Sequence, residues 1–184
     1  MKTLFLFCLI FFTQTVLAMP AQILLIRHGE KPESGSELSP EGWQRAADLP
    51  SMFENRPEFL TFGLPVALYG MSPEKKNGSV RAIQTLKYLS AKLKLPIQTK
   101  FLKDDIKKLI VEIRKTKAYD GKTILICWEH TVLVDMAVQL GAPVSLHWPA
   151  ENFDRVWTLT YSANGSFVKF QDLPEKLLPT DSQN

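Results

Sequence analysis

The apolar positions of the chain follow two rhythms, and their alternation gives the first indication of a fold. Three short continuous runs, Ile23-Leu24-Leu25-Ile26, Val66-Ala67-Leu68-Tyr69 and Thr123-Ile124-Leu125-Ile126-Cys127, are bounded by turn residues. Runs of that kind fit strands buried on both faces. Between them the spacing becomes helical. Ala82, Ile83, Leu86, Leu89 and Leu93 share one face within Val80 to Leu95, with Pro96 as the stop. Ile106, Leu109, Ile110 and Ile113 make a second apolar face, and Thr131 to Leu140, ended by Gly141, a third helix. Leu38-Ser39-Pro40-Glu41-Gly42-Trp43 reads as a helix start, with Ser39 as N-cap and Pro40 in the first position. That helix is expected to run through Gln44, Arg45, Ala46 and Ala47 and to stop before Pro50.

Ile97 to Phe101 fits a further strand, and Val156 to Tyr161 and Ser166 to Phe170 flank Ala163-Asn164-Gly165 as a hairpin. From Pro174 onward the chain is polar and is expected to be a loose tail. Strands alternating with helices predict a three-layer α/β/α arrangement, in which a mostly parallel central sheet is covered on both faces. No repeat, linker or low-complexity block divides the chain, so residues 19–184 are expected to be one domain.

The first 18 residues follow another logic. Met1-Lys2 is a positive start, Leu4 to Phe12 is almost wholly apolar, and Val16-Leu17-Ala18 places small residues where a signal peptidase cuts. That pattern predicts a secretory leader, too short for a membrane anchor. Cleavage after Ala18 leaves 184 − 18 = 166 residues and lowers the formal charge from +3 to +2, since Lys2 is lost. A charge that small argues neither for nor against a nucleic-acid partner, since binding depends on local clustering. The lysines between Lys103 and Lys117 alternate with Asp104, Asp105 and Glu112 as on a solvated helix face, and no nucleic-acid partner is expected. Cys127 is the one cysteine left, so no internal disulfide can form and the core must hold the fold. A secreted or periplasmic protein without stable membrane association is expected.

Ligands of open α/β sheets bind beyond the carboxyl ends of the strands. Two strands here end in histidine-bearing turns, Ile26-Arg27-His28-Gly29-Glu30 and Cys127-Trp128-Glu129-His130, and Arg81 falls in the first turn of a helix near a third strand end. Guanidinium groups hold phosphate oxygens through paired, charge-assisted hydrogen bonds, so Arg27 and Arg81 suit a transferring phosphoryl group. A neutral imidazole is a competent nucleophile near pH 7, which suits His28, and His130 would complete the charge stabilisation. Gly29 would let backbone approach the phosphate closely. His147, within Leu146-His147-Trp148-Pro149, has no such company and reads as packing or rim.

Arg27-His28-Gly29 after a buried strand, Arg81-Ala82-x-Gln84-Thr85 on a helix, His130 after a later strand and Leu38-Ser39-Pro40-Glu41-Gly42 before the first helix together resemble the histidine phosphatase superfamily. The resemblance covers most of the chain after the leader. It implies the phosphoglycerate mutase-like fold, a phosphohistidine on His28, a phosphate pocket of Arg27, Arg81 and His130, a phosphorylated small-molecule substrate, and neither cofactor nor metal. Lys31-Pro32 is similar to the acid-phosphatase extension of the tripeptide, with lysine at the place of an arginine. Acid-phosphatase members carry an aspartate just after the second histidine, where this chain has Thr131, and mutase-like members carry a glutamate in the region of Asp104 and Asp105. Glu129, beside His130, is ranked first as general acid, ahead of Asp104 or Asp105 and then Glu30. As an acid it would need a raised pKa, which burial beside Trp128 could provide.

Other chemistries fit less well. A cysteine-phosphatase loop needs an arginine where Leu133 stands, and Gly121-Lys122-Thr123 lacks the earlier glycine of a nucleotide-binding loop and precedes a strand. A zinc site would have to draw on His28, Glu129 and His130. A phosphomutase, or a phospholigand-binding module without a working acid, remains as an alternative. Loops Lys31–Glu37, Met71–Gly78 and Ser145–Asp154 should set specificity, though none names a substrate, and two sequons, at Asn77 and Asn164, matter only in a glycosylating source. Oligomeric state has no signature in the sequence.

Overall fold

The computed structural model describes residues 19–76 and 78–182; residues 1–18, where a leader is expected, the sequon asparagine Asn77 and residues 183–184 lie outside the described residues. Six strands, β1 (Gln22–Arg27), β2 (Pro65–Gly70), β3 (Ile97–Gln98), β4 (Thr123–Trp128), β5 (Arg155–Tyr161) and β6 (Phe167–Pro174), form one sheet in the order β3-β2-β4-β1-β5-β6. The first four run parallel, and β5 and β6 add an antiparallel edge beside β1. Helices α1 (Pro40–Asn55), α2 (Arg81–Leu93), α3 (Ile106–Lys115) and α4 (His130–Gln139) flank the sheet. Every residue of β1 and β4 is buried, as their unbroken apolar runs require of strands covered on both faces. Among the described residues no helix is long and apolar enough to cross a membrane.

The helical stripes occupy the core as their spacing predicts. Ala82, Leu86 and Leu89 of α2 are buried, and so are Ile106, Leu109, Ile110 and Ile113 of α3. Ser39 caps α1, accepting the Gly42 amide at 3.1 Å, and α4 is followed by Gly141 at φ 108°. Two boundaries differ from expectation. Helix α1 continues through Pro50 to Asn55, because Leu49, Met52 and Phe53 lie buried on either side of the proline and hold the helix against the core. Burying three large apolar side chains, at ~1.5–3 kcal/mol each, outweighs the ~3 kcal/mol penalty of an interior proline. Strand β3 keeps only Ile97 and Gln98, since Phe101 leaves the sheet to bury its ring and accept the Ser72 amide at 2.8 Å.

The largest correction concerns the chain end. Residues 174–182 are not a loose tail: β6 runs to Pro174, and Glu175, Leu178 and Asp181 are buried. Their anchor is Arg45 of α1, only 2% exposed, which donates to Glu30, Glu175 and Asp181 at 2.6–3.1 Å. One guanidinium thus serves three carboxyl groups. Burial pushes the Glu175 carboxyl up to about 8; Arg45 opposes the shift, and Asp181 and Glu30 add to it. A carboxyl raised from 4.5 in the unfolded chain to about 8 in the folded one binds an extra proton on folding, so its contribution is complete below pH 4.5 and is lost as pH rises through 8. Glu175→Gln, which mimics the protonated acid, is therefore expected to flatten the fall in melting temperature between about pH 5 and pH 9. A wild-type melting temperature that rises across that window would contradict the assignment.

Candidate active site

The parallel strands bring three chain segments to one edge. Arg27 pairs with Trp128 across β1 and β4, Gly70 of β2 pairs with Cys127, and the His28 amide donates to Trp128 O at 3.1 Å. His28 and Glu129 therefore leave adjacent strand ends side by side, with His130 opening α4. The His28 ring is buried, and its Nδ1 lies 2.8 Å from Gly29 O. Only an N–H can satisfy a carbonyl, so Nδ1 carries the proton and Nε2 keeps its lone pair. Burial lowers the imidazole to about 4, helped by the charges of Arg27 and Arg81 and opposed by the Gly29 hydrogen bond and Glu129. His28 is thus neutral at pH 7, in the tautomer a nucleophile requires.

Arg27 is gripped by a loop whose part sequence reasoning missed. Its Nη1 donates to Ala150 O at 2.5 Å and Asn152 O at 3.0 Å, and the Phe153 ring lies 3.7 Å from its guanidinium carbon. Trp148 Nε1 donates to the same Asn152 carbonyl at 2.9 Å, so the Trp148-Pro149 segment expected to be packing or rim also fixes the loop that holds the arginine. His147 is exposed. Burial lowers Arg27 to about 10, offset in part by Glu129, Glu30 and Glu151, and leaves it charged at neutral pH. Its Nε is buried with no hydrogen-bond partner among the described residues. His130 Nδ1 is buried likewise: it lies 2.9 Å from Glu129 Oε1, but not in hydrogen-bonding alignment. The His130 pKa is lowered, by burial first and then by Arg27, with Glu129 opposing and the charges of Lys31 and Lys103 adding.

The helix α2 motif ties the surrounding loops together. Arg81 donates to Glu37 O at 3.1 Å and to Gly35 O, Gln84 accepts the Leu38 amide at 2.9 Å, and Thr85 accepts the Gly29 amide at 2.9 Å. Burial lowers the Arg81 pKa. Gly29 also has a packing role. A Cβ there would meet Gly42 O at 3.0 Å, and one on Gly42 would meet Glu30 O at 2.4 Å, so this pair of glycines lets α1 approach the turn that follows His28.

Three of the candidate carboxylates, Glu129, Glu30 and Asp105, are engaged. Glu129 caps α4, accepting the Thr131 amide at 3.3 Å and the Thr131 hydroxyl, and pairs with Lys103 at 3.0 Å. Burial would raise its pKa, but these donors outweigh it and the net shift is downward, the reverse of the expected rise. Lys103 correspondingly leaves the solvated stripe for the site, whereas Lys107, Lys108, Arg114 and Lys115 are exposed as expected. Glu30 belongs to Arg45. Asp105 accepts the Leu102 amide at 3.1 Å and pairs with Lys108 at 2.7 Å, which lowers its pKa, and Asp104 lines a cleft of about 370 Å³ with Lys107 and Thr131. Another cleft of about 300 Å³, lined by Ser72, Lys75, Ser79, Lys103 and Glu129 among others, adjoins the Glu129 side. Among the described residues no three His, Cys, Asp or Glu side chains group as a metal site does.

Solved structures share this architecture. The protein histidine phosphatase SixA complexed with tungstate superposes with a TM-score of 0.58 at 14% identity, covering 84% of this chain and 97% of that one. This chain has the fold of the histidine phosphatase superfamily. A mycobacterial glucosyl-3-phosphoglycerate phosphatase matches with a TM-score of 0.57 at 14% identity, over 84% of this chain and 97% of its own. A phosphoglycerate mutase from Bacillus anthracis gives 0.56 at 16% identity, over 84% and 93%. No family model and no curated protein matches the sequence. The likeness is one of fold, and the case for chemistry rests on the residues above.

Proposed function

We propose that the chain is an exported, metal-independent phosphohydrolase that removes phosphate from phosphomonoesters through a covalent phosphohistidine on His28. The carrying observation is a neutral, buried His28 with Nε2 as its free nitrogen, next to an arginine whose buried Nε has no acceptor within the described chain. A phosphoryl group suits both, supplying an electrophile to the imidazole and acceptor oxygens to the guanidinium. Nε2 attacks phosphorus as the ester P–O bond breaks, Arg27, Arg81 and His130 stabilise the charge on the equatorial oxygens, and the leaving oxygen departs with the bonding electrons as an alkoxide or aryloxide that solvent protonates. Water then attacks the same phosphorus, the P–N bond breaks, and neutral His28 and inorganic phosphate are released.

Glu129 enters as a carboxylate. Held by Lys103 and Thr131, it is suited to take the proton from the attacking water in the second step rather than to donate one in the first. Substrates whose leaving oxygen departs unprotonated are then favoured. SixA is a protein histidine phosphatase and the mycobacterial neighbour a glucosyl-3-phosphoglycerate phosphatase, which supports hydrolysis without choosing a substrate. Export rests on the leader, and a terminus created at Met19 would lie 3.4 Å from Asp120 Oδ1, where an ammonium is well placed.

The test is rapid-quench kinetics with 4-nitrophenyl phosphate and a chelator. Wild type should release 4-nitrophenol with an acid-labile phosphoenzyme, and Glu129→Gln should keep the phosphorylation step within about threefold while steady-state turnover falls ~10²-fold. Substrate binding without turnover in wild type would mark a binding module. Equal losses in both steps of the variant would make Glu129 a helix cap only.

A further inference from the structure

The nucleophile turn and the loop that grips Arg27 are far apart in sequence, yet both touch the last described stretch of the chain. On one side, Glu30 follows Gly29, whose carbonyl fixes the His28 tautomer, and both Glu30 carboxylate oxygens accept from Arg45. Arg45 Nη1 and Nη2 in turn reach Asp181 at 2.9 and 2.7 Å, and Nη1 reaches Glu175 at 2.9 Å. On the other side, the Glu175 and Ser182 amides donate to the Asp154 carbonyl and carboxylate at 2.6 Å each, two residues beyond the Asn152 carbonyl that holds Arg27. Asp181 also accepts the Leu177 and Leu178 amides at 2.8 and 3.0 Å, closing residues 177–181 into a compact turn pinned by buried Leu178.

We propose that residues Glu175 to Ser182 form a strap that positions the two phosphate-handling residues, His28 through Arg45 and Glu30, and Arg27 through Asp154. This rests on the phosphohistidine reading for its kinetic consequence, but not for its structural one. Neither arm contains a group assigned to the phosphate, so Arg45, Asp154 and Asp181 are positioning residues. A buried guanidinium shared by three carboxyl groups is a costly way to secure a chain end, because an apolar side chain of similar volume often serves stability as well. A planar fork does what an apolar plug cannot. It fixes direction, since Arg45 Nε and Nη2 engage both oxygens of one carboxylate while Nη1 and Nη2 span another. A displacement of the reacting group by about 1 Å is enough to cost ~10²-fold in rate.

Arg45 itself is a poor variant, since its loss strands the acidic groups of Glu30, Glu175 and Asp181 and endangers folding. Asp181→Asn keeps the volume and an acceptor oxygen for the Leu177 and Leu178 amides while weakening the grip on Arg45. Ser182→Pro deletes the amide that donates to Asp154. Both are measured for kcat and KM on 4-nitrophenyl phosphate, for melting temperature, and for the His28 imidazole titration by NMR in the folded protein. Asp181→Asn is expected to lower kcat ~10–100-fold and to move the His28 titration upward toward that of a free imidazole, because the loosened turn admits water to the buried ring and relief of burial outweighs the weakened Gly29 hydrogen bond. Ser182→Pro should raise KM severalfold. If both folded variants keep wild-type kcat, KM and His28 titration, the strap is only a stabilising chain end, whatever their melting temperatures. The titration needs no turnover, so an inactive wild type would defeat the phosphohydrolase reading, while an unchanged His28 titration in Asp181→Asn would separately overturn the strap.

Discussion

His28→Ala is expected to lower turnover of any phosphomonoester by at least about 10⁴-fold and to abolish the acid-labile phosphoenzyme, the signature of a lost covalent nucleophile. No neighbour replaces it. His130 opens a different element, and its Nδ1 points toward the Glu129 carboxylate rather than a backbone carbonyl. The same burial sets the pH profile. With the His28 imidazole lowered to about 4, the free enzyme keeps a neutral nucleophile through the neutral range, and kcat/KM should fall only as pH drops through about 4. The depressed value places the limb on the acid side, because protonation consumes the lone pair that attacks. Rapid-quench assays of wild type and variant read the first effect, and a pH series on wild type the second. A variant within tenfold of wild type, or a limb near pH 6.5, would rule out a buried, carbonyl-anchored nucleophile.

What the sequence discloses about this site is what neighbouring residues encode. Arg27-His28-Gly29 ends an unbroken apolar strand, so its exit point follows from the strand itself. Ser39-Pro40 and Gly141 mark helix ends through local backbone chemistry. Gln84 and Thr85 are visible in sequence only as part of a resemblance; their hydrogen bonds to Leu38 and Gly29 supply the physical reason for that helix motif. The losses are long-range. Arg45 meets Glu175 and Asp181 across 130 and 136 positions, and no local pattern announces that a polar chain end will be buried by one arginine. Pro50 reads as a stop because local chemistry says so, while the apolar residues around it belong to tertiary packing. The apolar neighbour Trp128 predicts a protonated Glu129; Lys103, 26 positions earlier and by pattern a surface lysine, reverses the sign.

Arg27 gives the second large effect. Arg27→Lys should lower kcat/KM by ~10²–10³-fold, with Arg27→Met lower still, since charge stabilisation of the transferring group is the main service a protein offers phosphoryl transfer. The conservative change fails for geometric reasons. Two carbonyls, Ala150 O and Asn152 O, hold Nη1, and the Phe153 ring approaches the guanidinium closely enough to bring its centre within 3.7 Å of the carbon. Those contacts orient the plane and leave the buried Nε as a donor with no acceptor in the described chain. A lysine has one ammonium, which can satisfy the two carbonyls or reach the phosphate, but not both in fixed orientation. It is also the cation more readily neutralised by burial, and burial already lowers the arginine itself to about 10. The loss should appear in the binding of inorganic phosphate as well as in turnover, because in the proposed mechanism the arginine meets the oxygens before and during the transfer. If Arg27→Lys bound phosphate and turned over aryl phosphate as wild type does, Arg27 would be a structural residue of the strand end, and the phosphate clamp would have to be built from Arg81 and His130 alone.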